Sequence, residues 1–523
     1  MPAVSHTAAD ASEAGPDGRL ALGPAATARA ERARAVLLVA SFALLLLVGL
    51  ALPHAAAPDL GPRGWAPGTL LPVTLGPAAV TAAMWTAYVL GGLGVLLGVL
   101  GRGAELPRPV VAVLAVGAAL TAPFGSGDHL SYAAYGRILA LGDNPWLESP
   151  VGWRGGTDPV VSAVEPPWTE EPSVYGPFAT IVQGLTSLGG GDNLRETVWL
   201  WQLVTVASWL AIRWCLRRVL PGREARIDAL WTANPLVFSV GVLGSHVDLL
   251  ATALAVAAVW AAHRYAGLGG AALAGALAAL ALSSKFTYAV VLLALVVAFS
   301  SRRVARSAVL IAVAGVVAGG LHLWAGPNVY DQIGRSARAV SLATPWRTVF
   351  EWLGRDVEAR SAVSMLAAVT AVVFALCLLR LVRSAPHAAL ASGNVVPRST
   401  TLPDASEGGR ALTAVAVLTG AYALAAPYSL PWYDVVVWAA LPAALPGVAD
   451  LVLLARLWVM SMAYTPGRVL GMTPGVEDVT MTARTTVAPV LILATWLWLV
   501  TSAVRAGSRR RPAGPPRGSA PRR

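Results

Sequence analysis

The sequence predicts an all-α integral membrane protein with many spans, and three observations carry that prediction. Of the 523 residues, 56% are hydrophobic and only 13% are charged, and the mean hydropathy is +0.62. Apolar runs long enough to cross a bilayer recur along the chain. The basic residues collect in short segments between those runs and in the C-terminal tail, the positive-inside pattern. The net charge of +11 therefore indicates contact with membrane lipids, and no nucleic acid partner is expected.

The apolar runs predict about 13–14 membrane helices. They lie at 36–52, 78–100, 107–123, 196–216, 228–245, 249–263, 268–284, 286–300, 307–325, 361–382, 411–427, 433–446, 448–463 and 486–504. The run at 175–188 is too short to span, so we expect a re-entrant or interfacial helix in the first long outer loop.

With the N-terminus inside, alternation of the spans divides the chain into a membrane body and two polar ends. Residues 1–34 are predicted to be a disordered cytoplasmic segment and 506–523 a disordered basic tail, with the membrane-embedded catalytic domain at 35–505. An outer catalytic loop at 124–190 and a second outer loop at 326–360 face outward. Whether the first span is cleaved stays open, since small residues resembling a signal-peptidase site follow it.

The sequence predicts neither a disulfide framework nor a metal site. Cys215 and Cys377 both fall inside apolar runs, so a disulfide framework is not expected, and no paired-cysteine motif indicates a metal. We expect no required cofactor, while a divalent metal remains optional.

The first outer loop carries the leading candidate for chemistry, Asp128. We place it just beyond a helix end at the membrane–water boundary, where partial desolvation would raise its pKa and make it a better base. The alternative is a solvated loop acid. His129 and Tyr132 supply donors and acceptors of the kind that sugar hydroxyls need, which favours a functional role.

Two rigid turns follow Asp128 in the same loop. Asn144 precedes a proline and a tryptophan, and Tyr175 precedes a glycine and a proline. Each motif alone is typical of an ordinary turn with an interfacial aromatic residue. Because they follow Asp128 in order, we predict that Asn144 and Tyr175 bind substrate.

Three further ionisable residues lie close to predicted spans, where charge is costly unless it is paired or functional. His246 and Asp248 follow a proline-broken run, and either they bind substrate or they pair with each other. Lys285 is the sole lysine and lies between two apolar runs on the predicted outer side. It either snorkels at a helix end or places a compact ammonium against a phosphate.

The second outer loop breaks the positive-inside trend with a cluster of arginines. An outward cluster of this kind indicates a bound anion, so we predict substrate contacts for Arg335, Arg338 and Arg347. Trp432 and Tyr433 lie at the outer edge of a later run and are candidates to stack on sugar rings or to line a lipid groove.

At these residues the chain resembles the actinobacterial polyprenol-phosphomannose-dependent α-1,6-mannosyltransferases, which are multi-spanning glycosyltransferases of GT-C fold. The matching motifs are Asp128-His129-Leu130-Ser131-Tyr132 with Gly136, Gly142-Asp143-Asn144-Pro145, Tyr175-Gly176-Pro177, Asn234-Pro235-Leu236 with a Gly-x-His-x-Asp run, Lys285 and Pro431-Trp432-Tyr433. One departure is Val247, where the family often has asparagine between the histidine and the aspartate.

The resemblance implies an inverting mannosyltransferase in the plasma membrane with an extracytoplasmic active site. The donor would be a β-mannosyl polyprenyl phosphate and the acceptor a lipid-anchored α-1,6-mannan chain of a lipoglycan. Asp128 would deprotonate the acceptor hydroxyl. A base on the acceptor and a charge clamp on the phosphate suffice for inverting transfer, and Lys285 with the loop arginines could supply the clamp.

Three other functions remain open from the residues. A transporter or flippase of a polyprenyl-linked sugar would place its polar residues at mid-membrane, often in paired repeats, whereas here they lie at one face and no repeat is evident. A structural subunit of a cell-envelope complex would not need the residues around Asp128. A related transferase that uses another lipid-linked sugar would share the motifs.

Overall fold

Helices make up the fold, and the all-α prediction is confirmed. The computed structural model describes residues 24–101, 103–331, 334, 339–391 and 406–508. Within these ranges the extended pairing amounts to one isolated bridge, His54 with Ala57. The main helices are α1 Pro24–Leu50, α2 Pro77–Leu100, α3 Arg108–Leu120, α4 Asp128–Ala140, α5 Pro177–Gly190, α6 Leu194–Val219, α7 Asp248–Arg264, α8 Gly267–Leu282, α9 Phe286–Ala298, α10 Arg303–Ala325, α11 Val357–Ala391, α12 Glu407–Ala425, α13 Val448–Ala463 and α14 Pro474–Ser508.

Seven helices of the described part are long and apolar enough to cross a membrane, so the protein is a multi-pass membrane protein. They are α1, α2, α7 with the residue before it, α10, α11 up to Arg383, α12 and α14. The predicted multi-spanning all-helical architecture is confirmed. Three apolar runs form helices of 10–17 residues, α3, α8 and α9, and these are shorter than the roughly 20 residues that a full crossing needs.

Two other predicted spans are broken helices. In the run at 228–245, Pro235 interrupts the chain and Asn234 caps the new start, accepting from the backbone N–H groups of Leu236 at 3.1 Å and Val237 at 3.3 Å. π-helical turns at Asp228–Thr232 and Phe238–Leu243 flank that break. In the run at 433–446, a short helix at Val435–Ala440 ends at a 3₁₀ turn that contains Pro442.

The first outer loop is more helical than its polarity predicts. Asp128 begins α4 and does not lie beyond a helix end, because the chain turns between Thr121 and Gly127 before it re-enters a helix. The short apolar run forms α5 and packs against α4. The two helices meet so closely at Gly136 that a Cβ there would lie 2.3 Å from the Gln183 carbonyl oxygen. The close contact between α4 and α5 therefore requires a residue without a Cβ at position 136.

The C-terminal end of α12 is held by side chains from three neighbouring elements. The last carbonyls of a helix have no partner within it, so they need donors from elsewhere. Trp346 donates to Ala425 at 2.7 Å and Trp496 donates to Leu424 at 3.0 Å, both through the indole N–H. Arg456 donates to Ala423 at 2.9 Å and pairs with the buried carboxylate of Asp434. These contacts fix the segment between α12 and Asp434.

The basic residues predicted inside collect at the opposite end of the helices. Asp228 is fully buried and accepts from Arg213 at 2.7 Å and from Arg217 at 3.4 Å. Arg226 pairs with Asp450 at 2.9 Å, and Arg306 pairs with Glu407 at 2.7 Å. These contacts cluster the arginines with carboxylates at the end of the helix bundle away from Asp128.

Helices extend into both terminal segments that the sequence predicts to be disordered. The helix α1 begins at Pro24, so part of the segment 1–34 expected to be disordered is helical. Alanine, arginine and glutamate dominate residues 24–34, and all three favour helix. At the other end, α14 continues to Ser508. Residues 1–23 and 509–523 lie outside the described ranges.

Candidate active site

A cavity of 740 Å³ opens beside the first residues of α4 and is lined by seven parts of the chain. Its walls come from the start of α4, the loop at 165–175, Asp248 at the start of α7, Lys285 with the two residues after it, one face of α11, the C-terminal end of α12 with the segment after it, and residues 464–484 before and within α14. Of the predicted site residues it exposes Asp128, Tyr132, Tyr175, Asp248, Lys285, Trp432 and Tyr433.

Asp128 lies on the wall of this cavity with two polar partners behind it. Its Oδ2 is 3.4 Å from His246 Nδ1 and 3.5 Å from the Tyr132 hydroxyl. The same hydroxyl lies 3.4 Å from His246 Nδ1. The Asp128 side chain is 16% exposed, whereas that of His246 is 1% exposed. The carboxylate thus faces the cavity while the imidazole supports it from the protein interior.

Local backbone geometry brings His246 to Asp128. Ser245 adopts a φ of +55°, which turns the chain between the broken segment and α7. The Ser245 carbonyl accepts a hydrogen bond from the Trp201 indole at 2.8 Å. The backbone N–H of Val247 lies 3.5 Å from the Tyr132 hydroxyl, which it approaches as a donor. Two aromatic side chains thereby fix the turn that carries His246.

The expectation of a raised pKa for Asp128 was wrong. Burial by itself raises the pKa of the carboxyl, but the hydrogen bond and charge of His246 oppose it, together with Ser126 and the charge of Lys285. The balance leaves the pKa of Asp128 below its ordinary value. Asp128 is therefore ionised at neutral pH and ready to accept a proton.

Asp248 and Lys285 form the second charged pair of the cavity. Lys285 Nζ lies 2.7 Å and 2.9 Å from the two carboxylate oxygens of Asp248, and 3.9 Å from the centroid of the Tyr433 ring. The sequence left open that His246 and Asp248 pair with each other. Each instead pairs with a residue distant in the chain, His246 with Asp128 and Asp248 with Lys285.

Aromatic rings form the floor around these pairs. Trp432 stacks on His246 with ring centroids 3.7 Å apart and an angle of 15° between the planes. Tyr132 contacts Tyr175 edge-on at 4.9 Å. Burial raises the pKa of Tyr132 and Tyr175 well above the ordinary value, so both phenols stay neutral. The floor thus offers apolar faces to a substrate and neutral hydroxyl groups beside the carboxylate.

Several predicted residues lie elsewhere. The Asn144 side chain accepts from the Trp146 backbone N–H at 2.9 Å, and the Trp146 indole donates to the Tyr175 carbonyl at 2.8 Å, so this turn supports Tyr175 without lining the cavity. Burial, with the charges of Arg468 and His246, lowers the pKa of His129 to about 3, which leaves a neutral ring in the interior beside Asp128.

Of the three arginines predicted to contact substrate in the second outer loop, the structure describes only Arg347, and it does not line the cavity. Arg347 pairs with Glu351 at 2.7 Å on the short helix Trp346–Trp352, outside the cavity. Arg335 and Arg338 lie outside the described residues. Other basic residues occupy the wall instead, namely Arg360, Arg468 and Arg484. Arg468 pairs with Glu165 and donates to the His54 carbonyl at 2.9 Å, which ties three loops together.

No metal site emerges from the described part of the chain. Within it, no group of three or more histidine, cysteine, aspartate or glutamate side chains is placed to hold a metal ion. Asp128 and Asp248 both line the cavity, and each has a basic partner.

Comparisons with known proteins match this chain to mannopyranosyltransferases. A family model described as the N-terminal domain of alpha-(1->6)-mannopyranosyltransferase matches residues 38–302. A probable alpha-(1->6)-mannopyranosyltransferase of Mycolicibacterium smegmatis is 34% identical over 139 residues, 26% of this chain and 25% of that protein. An alpha-(1->6)-mannopyranosyltransferase of Mycobacterium tuberculosis is 32% identical over 141 residues, 26% of this chain and 24% of that protein. Alpha-(1->6)-mannopyranosyltransferase A of the same organism is 28% identical over 143 residues, 27% of each chain. Each alignment thus spans about a quarter of the curated relative.

Removing His246 should raise the pKa of Asp128. In His246→Gln the charge of the imidazole is lost while burial remains, so we expect the pKa of Asp128 to lie higher than in the wild type. Infrared difference spectra of the purified chain across pH would measure the titration, with the protonated carboxyl band assigned by its loss in Asp128→Asn. An Asp128 titration that is the same with and without His246 would contradict the pairing.

Proposed function

The chain belongs to the alpha-(1->6)-mannopyranosyltransferase family, and on this basis we propose that it transfers mannose from a polyprenyl phosphomannose donor to an α-1,6-mannan chain. The acceptor would be the growing mannan of a lipid-anchored cell-envelope lipoglycan. The proposal covers activity, donor and acceptor together, since the matched part spans only about a quarter of each curated relative.

The observation that carries this proposal is the position of Asp128 in the cavity. The family match at 38–302 includes Asp128 and both members of the Asp248–Lys285 pair, so the matched region contains both charged pairs of the cavity. An ionised carboxylate, backed by a buried histidine and exposed to a space of 740 Å³, is what a general base needs.

In the proposed reaction Asp128 Oδ2 accepts the proton of the acceptor hydroxyl. The acceptor oxygen forms a bond to the anomeric carbon of mannose as the bond from that carbon to the phosphate oxygen breaks. The leaving polyprenyl phosphate takes the bonding electron pair, and the proton stays on Asp128. One displacement inverts the configuration, so a β-mannosyl donor gives an α-mannosyl product.

A low pKa at Asp128 suits this reaction even though it makes a weaker base. The acceptor hydroxyl becomes acidic only as its oxygen bonds to the anomeric carbon, so proton transfer is most favourable late in the step. His246 and Tyr132 lie within 3.4–3.5 Å of Asp128 and hold the carboxylate in one orientation. In this account His246 positions the base and is not itself in contact with substrate.

The cavity would face the extracytoplasmic side of the plasma membrane. Arg213 and Arg217, the partners of Asp228, lie on the far part of α6, and Arg217 is sixteen residues after Trp201, about 24 Å along the helix. Trp201 itself packs beside Tyr132 with ring centroids 5.4 Å apart. The positive-inside tendency favours a cytoplasmic location for the arginine-rich end and hence an outer location for Asp128.

Replacing Asp128 by asparagine should reduce transfer by orders of magnitude while the protein still inserts. Asparagine keeps the shape of the side chain but cannot accept the acceptor proton, and a general base typically contributes about 10²–10⁴-fold. Membranes that contain the chain would be assayed with radiolabelled mannosyl-phosphopolyprenol and a short α-1,6-mannoside acceptor.

Glu170→Gln is the matched control, because Glu170 is an exposed acid of the same loop that does not line the cavity. It should transfer mannose at the wild-type rate. Near-normal turnover by Asp128→Asn would remove Asp128 from the reaction, and a wild-type chain that transfers no mannose would overturn the proposed function.

Cysteine labelling should place Glu170 and Arg303 on opposite sides of the membrane. Both positions are exposed, Glu170 in the loop beside the cavity and Arg303 at the other end of α10 from the outer loop. In a background in which Cys215 and Cys377 are alanine, Glu170→Cys should react with a membrane-impermeant maleimide in intact cells. Arg303→Cys should react only after permeabilisation, and the reverse pattern would put the cavity in the cytoplasm.

A further inference from the structure

We propose that Arg484 binds the phosphate of the lipid-linked donor, and that the small-residue face of α11 receives the first part of its prenyl chain. This inference rests on the proposed function, because it assigns the donor to one wall of the same cavity. It goes further by naming the cation that meets the phosphate and the path that the lipid follows into the membrane.

The charged residues that line the cavity carry a net positive charge. Among the described residues of the lining, four are basic and three are carboxylates, which is an excess of one positive charge. Asp128 faces His246, Asp248 pairs with Lys285 and Glu165 pairs with Arg468. The other two basic residues of the lining are Arg360, which donates to the Ser364 hydroxyl, and Arg484. A phosphodiester carries one negative charge, which matches the excess.

Arg484 is oriented for such an anion by two contacts that leave its outer nitrogens available. Its Nε donates to the Ala463 carbonyl at 2.9 Å, and its Cζ lies 4.8 Å from the centroid of the Tyr464 ring. Within the described chain neither Nη atom has a recorded hydrogen bond, and no carboxylate lies within ion-pairing distance. Two parallel N–H groups on a fixed guanidinium fit the geometry of a phosphate.

The backbone around Arg484 is itself irregular. The turn Ala483–Val487 is π-helical within α14, and such turns often occur where a side chain must be directed to a functional site. It follows Thr482, the end of the first part of α14, so the arginine lies where the helix changes its winding. Arg484 thus lines the cavity from within this irregular turn.

One face of α11 forms the neighbouring wall of the cavity, and its small side chains leave room for an apolar chain. Ser364, Ala367, Ala368 and Ala371 share one face of α11 and line the cavity. Arg360 lies one turn before them and donates to the Ser364 hydroxyl at 2.9 Å. The opposite face of α11 carries exposed apolar residues such as Val369, which is 60% exposed. α11 is long and apolar enough to cross a membrane, and its small side chains on this wall leave space beside the arginines for the first part of an apolar chain.

The combination selects one ligand class. A sugar nucleotide has no apolar chain for the α11 wall, and a free sugar has no charge for Arg484. A prenyl phosphate diester has both, with the phosphate at the membrane surface and the chain in lipid. Lys285 is a poorer partner for the phosphate, because contact would draw it away from a carboxylate that it already holds at 2.7 Å.

Binding of a C55 polyprenyl monophosphate, compared with the neutral C55 polyprenol, tests the assignment without any transfer reaction. The full chain would be placed in phosphatidylcholine nanodiscs and titrated by competition with a fluorescent prenyl phosphate. Wild type should prefer the phosphate about 10-fold or more, as a charge-assisted hydrogen bond predicts. Arg484→Gln should lose that preference and Arg484→Lys should keep part of it. Arg347→Gln, which removes an arginine outside the cavity, should bind as wild type does.

Two tryptophan variants of α11 test the path of the prenyl chain separately. They keep the proposal testable if Arg484→Gln does not fold. Ala368→Trp should weaken the phosphate and the alcohol alike, while Val369→Trp, on the lipid-facing side, should weaken neither. Equal preference in wild type and Arg484→Gln, or equal effects of the two tryptophans, would overturn the inference. Added phosphatidylglycerol that competes as well as the prenyl phosphate would identify an ordinary lipid headgroup site and overturn it too. A wild type that binds prenyl phosphate through Arg484 but transfers no mannose would sink the proposed function and leave this inference standing.

Discussion

Charged side chains near a membrane must be paired, and the pairing of carboxylates with distant bases organises this cavity. Asp128 with His246 joins the start of α4 to the turn before α7, and Asp248 with Lys285 joins α7 to the start of α9. A carboxylate left alone in such a place would cost several kcal/mol, so each pair fixes the relative position of the elements it joins. The Asp434–Arg456 pair does the same for the segment after α12.

The same pairing decides the chemistry that the cavity can support. Because His246 and Lys285 both favour its charged form, Asp128 remains a carboxylate despite its burial. Lys285 is held by Asp248, and we therefore propose Arg484 as the positive charge that meets a ligand. In this proposal the proton acceptor and the anion site belong to different elements, α4 and α14. Inverting transfer needs that separation, since the acceptor and the leaving phosphate occupy opposite faces of the anomeric carbon.

Individual residues show which parts of the site could be predicted from the sequence and which could not. Asp128, Asp248 and Lys285 were predictable because ionisable side chains beside apolar runs are rare and costly. Arg484 was missed because it lies at the edge of an apolar run and belongs to no motif, so only the folded chain brings it to the cavity. The direction of the Asp128 pKa shift needed His246, 118 positions later in the chain, a contact that no local pattern predicts. Asn144 looks the same in sequence whether it caps a turn or binds a ligand, and here it caps a turn.

The configuration of the product tests the central claim most directly. Purified chain in nanodiscs would be given a β-mannosyl polyprenyl phosphate and a short α-1,6-mannoside, and the new linkage would be assigned by NMR. A cavity with one base and one anion site predicts a single displacement, and therefore an α-mannosyl residue on the 6-hydroxyl group. A product with retained β configuration would require a covalent intermediate on a second nucleophile and would contradict the account.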